Sequence, residues 1–173
     1  MRLNRGCKGM WIVPLVLIAD RITKVLAVSL AQSDPLVSYT PAVALVPGVL
    51  NIRYVRNTGV AFSMFSGGGI WLVIFTVALI AGLLAWLFVR ADEPKLFRTG
   101  LWLIVAGGLG NLYDRLAYGY VIDFLEFDFV NFAIFNVADA CICIGAGVAA
   151  LSILMDEIRT KGKNAQKGNG NAE

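Results

Sequence analysis

The stretch GGLGNLYDRLAYGYVIDFLEFDFVNFAIFNVAD, from Gly107 to Asp139, decides the fold that we predict for this chain. It places Asp114, Asp123 and Asp139 beside or inside segments that are apolar enough for a bilayer. Because an ionised carboxylate in hydrocarbon is costly, acids retained there suggest a function by default. We therefore expect the rest of the chain to be the frame that holds these acids.

The composition indicates a membrane protein. The chain has 173 residues, of which 58% are hydrophobic and only 16% are charged, and a soluble domain usually has fewer apolar and more charged residues. We predict an all-α polytopic membrane protein with four transmembrane helices and a small extracytoplasmic β-rich cradle between the first two. Residues 1–158 would form this single domain, and 159–173 a disordered cytoplasmic tail.

Several classes of site are excluded by residue content. Histidine is absent, which removes the most common metal ligand and the usual base for a serine or cysteine nucleophile. The three cysteines, Cys7, Cys141 and Cys143, do not form a disulfide framework. No basic stripe or nucleic-acid motif is present. Any hydrolytic chemistry must rest on carboxylates, lysine or hydroxyls.

Apolar runs predict the four spans. The first begins like a signal peptide, but Asp20, Arg21 and Lys24 interrupt its apolar core, so we interpret it as a transmembrane helix. The second is an uncharged run long enough to cross a hydrocarbon core of about 30 Å. The third and fourth carry small residues, including Gly107 and Gly145, where helices can approach closely. The predicted spans are about 10–31, 70–89, 99–116 and 132–155.

The segments between the spans are predicted from their turn residues and β-prone pieces. Residues 32–68 contain three prolines and short strand-like runs, so we expect strands packed on the membrane surface of the bundle. Residues 117–131 are predicted to be an acidic, aromatic loop that holds Asp123.

The distribution of lysine and arginine predicts the topology. Four spans leave both termini on one side, which carries ten of these residues against three, Arg53, Arg56 and Arg115, on the other side. By the positive-inside rule the richer side is cytoplasmic. The ten are Arg2, Arg5, Lys8, Arg90, Lys95, Arg98, Arg159, Lys161, Lys163 and Lys167. The intramembrane acids then gather in the outer half of the membrane.

The spacing of the polar residues suggests their roles. Asp20 and Lys24 are four residues apart and share a helix face, so they can pair. Asn136 shares a face with Asp139, which we place roughly 10 Å below the outer surface, and no cation lies within four residues of Asp139. Its partner must come from another segment, for which Asp123 is a natural candidate. Two close carboxylates share one proton, as in aspartic proteases, but proton or ion transport fits the same acids equally well.

Five motifs in order resemble those of one family, the lipoprotein signal peptidases, also called type II signal peptidases. They are DRITK at 20–24, NTGVAFSMFS at 57–66, GGLGNLYDR at 107–115, VIDF at 121–124 and FNVAD at 135–139.

The resemblance implies a fold, a reaction and a set of site residues. It implies four helices across the bacterial inner membrane, a β-rich cradle, and a short amphipathic helix or loop before the last helix. The reaction implied is removal of the signal peptide from diacylglyceryl-modified prolipoproteins, just before the lipidated cysteine. The resemblance implies that a pair of aspartates, Asp123 and Asp139, acts on water without a metal or cofactor. Arg21 departs from the uncharged polar residue expected of many relatives, which leaves its partner open. The residues implied to support the pocket or hold substrate are Asp20, Lys24, Asn57, Asn111, Asp114, Arg115 and Asn136.

Three other functions are compatible with some of these residues. A serine and lysine hydrolase using Lys24 is disfavoured because Asp20 keeps that lysine protonated. A small proton-coupled transporter would leave Asp123 and the cradle idle. A structural protein would tolerate asparagine at both Asp123 and Asp139. We expect the peptidase, acting as a monomer on prolipoproteins among membrane lipids, without a nucleic-acid partner.

Overall fold

The computed structural model describes residues 7–30, 39–59, 69–90 and 92–169. This part of the chain forms four helices and one three-stranded sheet, with the sheet packed against the C-terminal parts of α1 and α3. The elements are α1 (Ile12–Leu30), β1 (Val43–Val46), β2 (Leu50–Asn57), α2 (Gly69–Val89), α3 (Lys95–Tyr118), β3 (Val121–Phe127) and α4 (Val137–Asn169).

The central helix is α3, which packs against each of the other three helices. Glycines bring its backbone against that of α4. A Cβ atom on Gly100 would lie 2.5 Å from the carbonyl oxygen of Gly145, and one on Gly107 would lie 2.3 Å from that of Ala138. Neither position can hold a side chain without separating the helices. The predicted close approach at Gly107 and Gly145 is confirmed.

Apolar side chains fill the bundle below the sheet. Trp102 and Leu87 are fully buried within this core. The indole N–H of Trp102 donates to the backbone carbonyl of Lys8 at 3.2 Å, so the segment before α1 is tied to α3. The buried members of the core are Ile12, Ile80, Leu87, Leu101, Trp102, Val105 and Ala149.

The sheet is antiparallel with strand order β1-β2-β3. Strands β1 and β2 confirm the β-rich character predicted for 32–68, although 31–38 and 60–68, including most of NTGVAFSMFS, lie outside the described residues. The prediction of a loop over 117–131 was wrong for β3. Its sequence VIDFLEF is rich in β-branched and aromatic residues, which favour a strand, and β2 supplies its backbone partners. The acidic residues of this segment had favoured the prediction of a loop.

The last helix begins later and ends later than predicted. Residues 132–136 are not helical, because Phe135 pairs with Leu125 of β3 in an isolated bridge, and α4 starts at Val137. At the other end α4 continues to Asn169, into the segment predicted to be disordered. Extending a formed helix costs little, and the ion pair between Lys161 and Glu157 at 2.6 Å supports this part.

Two of the described helices are long and apolar enough to cross a membrane, at Ile70–Val89 and Val137–Gly162. On α2 the large side chains of Trp71, Phe75 and Val89 are exposed. Helices α1 and α3 instead carry buried charged residues, of which Asp20, Lys24 and Asp114 belong to the site described next.

Candidate functional site

A cluster of buried charges joins α1 to α3. Lys24 is 1% exposed, and its Nζ lies 2.9 Å from Asp20 Oδ2 and 2.6 Å from Asp114 Oδ2. The pair of Asp20 and Lys24 predicted from their spacing is therefore confirmed. Burying an ion is costly unless it is paired, and here both aspartates and the lysine are paired.

Arg21 completes this cluster. Its guanidinium contacts Asp114, lies 3.2 Å from Asp20 Oδ2, and covers the ring of Tyr113 at 4.8 Å. The sequence left the partner of Arg21 open, and the structure supplies two. Two cations and two carboxylates then sum to zero charge, so the cluster is compensated within itself. We call Asp20, Arg21, Lys24 and Asp114 the ion cluster.

The ion cluster also holds backbone from the two elements above it. Asp114 Oδ2 accepts a hydrogen bond from the N–H of Ile122 in β3 at 3.3 Å. Asp20 Oδ1 accepts one from the N–H of Ala138 in α4, also at 3.3 Å. These contacts fix the strand that carries Asp123 and the helix that carries Asp139 relative to α1 and α3.

Asn111 of α3 lies between the ion cluster and Asp139. Its Oδ1 accepts from Lys24 Nζ at 3.4 Å and from Asn136 Nδ2 at 3.0 Å. Its Nδ2 donates to Asp139 Oδ1 at 2.7 Å. The amide thus links the buried lysine to one carboxylate.

Asp139 lies in the first turn of α4, where it forms a reciprocal cap with Asn136. The N–H of Asp139 donates to Asn136 Oδ1 at 2.9 Å, and the N–H of Asn136 donates to Asp139 Oδ2 at 3.2 Å. This is a capping-box arrangement, which satisfies two N–H groups that have no partner within the helix. The sequence predicted that this helix starts at about residue 132, which placed Asp139 about two turns into it. At the true start, Asp139 lies at the positive end of the helix dipole.

Asp123 lies in β3 with its carboxylate held by two amides. Asn136 Nδ2 donates to Oδ1 at 2.7 Å, and Asn57 Nδ2 from β2 donates to Oδ2 at 2.8 Å. The residue is only 2% exposed. Burial raises the pKa of Asp123 to about 6, helped by the negative charge of Asp139 and opposed by the hydrogen bonds from the two asparagines. Asp123 therefore takes up a proton far more readily than an exposed aspartate.

The structure brings the predicted site residues into one network. Asp123 and Asp139 both contact Asn136, and through Asn111 the network reaches the ion cluster. Arg115 interacts electrostatically with Asp139 and Asp123. The residues connected by hydrogen bonds or ion pairs are Asp20, Lys24, Asn57, Asn111, Asp114, Asp123, Asn136 and Asp139.

The sequence did not reveal that Arg21 belongs to this network. Its proximity to Asp20 along the chain was the available signal, but its contact with Asp114 depends on how α1 and α3 pack. Over the described ranges, no group of three or more acidic or cysteine residues has the arrangement of a metal site.

The site thus presents two carboxylates on separate elements, connected by Asn136, whose side-chain amide donates to Asp123 and whose backbone N–H donates to Asp139. Asp139 is fixed to the start of α4 and Asp123 to the middle of β3. Each carboxylate receives two N–H donors. Carboxylates in such surroundings can bind, release and exchange protons.

Comparison with known proteins gives consistent relatives. A family model described as signal peptidase (SPase) II matches residues 12–155. The lipoprotein signal peptidase of Shewanella sediminis is 37% identical over 98% of this chain and 96% of its own length. That of Pseudoalteromonas translucida is 41% identical over 83% of this chain and 86% of its own length.

Solved structures are similar over most of the fold. One, described as a bacterial membrane enzyme structure obtained by the in meso method at 2.3 Å resolution, has a TM-score of 0.74 and 28% identity, covering 87% of this chain and 89% of that one. A second, at 1.9 Å, has a TM-score of 0.75 and 28% identity, with coverage of 86% and 94%.

With its two long apolar helices and its buried polar network, this fold is that of a membrane protein. The family match is equally clear, since it spans most of the chain. The chain belongs to the signal peptidase II family, and membership implies a protease.

Proposed function

We propose that this protein is an intramembrane aspartic endopeptidase that cleaves the signal peptide from diacylglyceryl-modified prolipoproteins. Cleavage would occur just before the lipidated cysteine, with Asp123 and Asp139 as the catalytic residues. The family and the names of the relatives support the substrate class. The observation that carries the catalytic assignment is the connection of the two carboxylates through Asn136.

The protonation chemistry of Asp123 supports its role. A pKa raised to about 6 by burial lets this carboxyl hold a proton close to neutral pH, and general acids and bases work best when their pKa is near the working pH. Asp139 receives N–H donors on both oxygens, and it lies in the first turn of α4. The two groups therefore have different surroundings, as one acid and one base require.

The reaction follows from this division of roles. The ionised carboxylate of the pair removes a proton from a water molecule, and the water oxygen attacks the carbonyl carbon of the scissile peptide bond. The protonated carboxyl gives its proton to the carbonyl oxygen, which yields a tetrahedral diol. The carboxyl that took the proton from water then delivers it to the leaving amine as the C–N bond breaks. The diol returns its hydroxyl proton to the other carboxylate, and one shared proton remains on the pair.

The surrounding membrane arrangement is part of the same proposal. Four spans, α1 to α4, would place both termini in the cytoplasm according to the positive-inside rule. The sheet, Asp123 and Asp139 would then lie toward the extracytoplasmic side of the bacterial inner membrane. A lipidated substrate lying in that membrane would present its scissile bond at the depth where the polar network meets water. The protein would act as a monomer among membrane lipids, without a cofactor.

The contacts of Asp20 and Asp114 disfavour the rival transporter. A proton relay needs acids that exchange protons during the cycle, whereas Asp114 is held in ion pairs with both Lys24 and Arg21. Asp20 is held by the same two cations. These ion pairs fix the positions of both carboxylates, so these two acids suit a frame better than a relay.

Two matched variants test the proposal. Asp123→Asn and Asp139→Asn, purified in detergent, are assayed against a diacylglyceryl-modified prolipoprotein, with binding of an uncleavable substrate analogue as the folding control. We expect both variants to bind the analogue and to leave the substrate intact. Cleavage near the wild-type rate by either variant would falsify the assignment of the pair.

A further inference from the structure

Three asparagine amides face the two carboxylates, and each amide has a donor end and an acceptor end. Asn57 and Asn136 donate to Asp123, and Asn111 donates to Asp139. A carboxylate accepts hydrogen bonds, so an amide helps it only when the NH2 group points toward it. The group that holds the oxygen of each amide therefore decides whether that amide supports the carboxylate.

Backbone groups set the orientation of two of the three amides. Asn57 Oδ1 accepts from the N–H of Gly59 at 2.8 Å, and Asn136 Oδ1 accepts from the N–H of Asp139 at 2.9 Å. A backbone N–H can only donate, so the oxygen of the amide must face it. The NH2 groups of both asparagines are then directed to Asp123 without help from any other side chain.

Asn111 is oriented differently, because its oxygen faces two side chains. These are Asn136, whose Nδ2 lies at 3.0 Å, and Lys24, whose Nζ lies at 3.4 Å. An ammonium has three donors and no acceptor. If the Asn111 amide were reversed, its NH2 group would point at the positive charge of Lys24 and its oxygen would point at the Asp139 carboxylate.

Burial and two ion pairs fix the ammonium of Lys24 next to Asn111. It is 1% exposed, and Asp20 and Asp114 bind its ammonium at 2.9 and 2.6 Å. Arg21 binds the same two carboxylates, but its described contacts are with Asp20, Asp114 and the ring of Tyr113. The two cations thus share their acidic partners and differ in their contact with Asn111.

We propose that Lys24 is a positioning residue for Asp139 that acts through Asn111. By holding Asn111 Oδ1, it keeps the NH2 group of that amide on Asp139 Oδ1. This inference rests on the proposed function, in which Asp139 belongs to the catalytic pair. When Lys24 is removed, only Asn136 still holds the oxygen of this amide, so the NH2 group of Asn111 is held less firmly on Asp139. The chemical step then slows, while substrate binding changes little.

The test compares Lys24→Met with Arg21→Met in the full-length protein. Each variant removes one cation from the same pair of carboxylates, so each lowers thermal stability, but only the first removes the contact with Asn111. With a diacylglyceryl-modified prolipoprotein, we expect Lys24→Met to lower kcat roughly tenfold more than Arg21→Met does, with KM changed by less than about threefold. Equal losses of kcat in the two variants would overturn the proposal.

A third variant separates hydrogen bonding from structural support. Lys24→Gln keeps an N–H donor for Asn111 but loses the charge that pairs with Asp20 and Asp114. We expect its kcat to exceed that of Lys24→Met, although it repairs no ion pair. If Lys24→Met does not fold, a kcat of Lys24→Gln at or above that of Arg21→Met supports the proposal, and a lower one contradicts it.

The variants distinguish the role of Lys24 from the assignment of the catalytic pair. If Asp139→Asn still cleaves the substrate, the catalytic pair is wrong and the role of Lys24 falls with it. If Asp139→Asn is inactive while Lys24→Met and Arg21→Met lose equal activity, the catalytic pair stands and Lys24 belongs only to the frame.

Discussion

Asn136 and Asp139 cap one another at the start of α4, with the N–H of each bonded to the side chain of the other at 3.2 and 2.9 Å. The same Asn136 side chain donates to Asp123 at 2.7 Å. The helix cap and the link between the two aspartates are therefore one structure. A change at Asn136 acts on folding and on the proposed chemistry together, and the two effects can be separated by the choice of substitution.

The first prediction separates them at Asn136. Asn136→Ala removes the cap and the donor to Asp123, and we expect the free energy of unfolding to fall by about 1–3 kcal/mol. Asn136→Ser keeps an oxygen for the N–H of Asp139 but has no amide for Asp123. We expect the serine variant to melt closer to wild type and yet to cleave as poorly as the alanine variant. Recovery of cleavage in Asn136→Ser would show that the amide donor is not needed.

The second prediction concerns the pH dependence of cleavage. The raised pKa of Asp123, about 6, should appear as an inflection in kcat/KM against pH. The hydrogen bond from Asn57 favours the ionised carboxylate and so lowers this pKa. Asn57→Ala should therefore move the inflection to higher pH.

The control for this experiment lies on the same strand. Asn51 of β2 donates to Asp128 at 3.0 Å rather than to Asp123. Asn51→Ala removes an amide of the same size from the same sheet, so its inflection should stay at the wild-type pH. A shift of equal size in both variants would mean that the sheet as a whole, and not the hydrogen bond, sets the pKa of Asp123.

The third prediction concerns stability. The folded-state pKa of Asp123 is raised from 3.8 to about 6, so the folded protein binds a proton that the unfolded chain has released. The stabilising contribution of this carboxyl is complete below pH 3.8 and is lost as the pH rises through 6, and it is on the order of 3 kcal/mol. Titration of the unfolding free energy from pH 4 to 7 should show this loss in the wild type and not in Asp123→Asn, and parallel curves would contradict it.

The fourth prediction tests the contact between α3 and α4. A Cβ atom on Gly145 would lie 2.6 Å from the carbonyl oxygen of Gly100, whereas one on Gly147 meets nothing within 4 Å. Gly145→Ala should lower the unfolding free energy by about 1–3 kcal/mol through overpacking. Gly147→Ala should raise it by up to about 1 kcal/mol, because alanine is the better helix former. Thermal melting of the two variants in the same detergent compares these effects directly.

Features set by local spacing were predictable from the sequence. Asp20 and Lys24 are four residues apart, so any helix brings them together, and the structure confirms their ion pair. Gly107 and Gly145 marked the approach of α3 and α4 for the similar reason that glycine leaves room for another backbone. Both patterns can be recognised within a single helix, without knowing how the helices and strands pack together.

Features set by the meeting of separate elements were not predictable. Asn57 reaches Asp123 because β2 and β3 pair in a register with an irregularity between Ile52 and Val55, and no local pattern fixes that register. The cap of α4 was visible as an asparagine three residues before an aspartate, but the apolar run before it favoured an earlier start. Arg21 finds Asp114 only through the packing of α1 on α3.

The ion cluster has a consequence for the response of the protein to salt. Asp20, Lys24 and Asp114 are at most 1% exposed, so dissolved ions do not come between them, and their attraction is far less screened than that of exposed charges. The pair of Glu157 and Lys161 on the exposed part of α4 is weakened by salt in the ordinary way. Raising the ionic strength therefore leaves the frame of the site unchanged, and a dependence of cleavage on salt reports on the encounter with substrate.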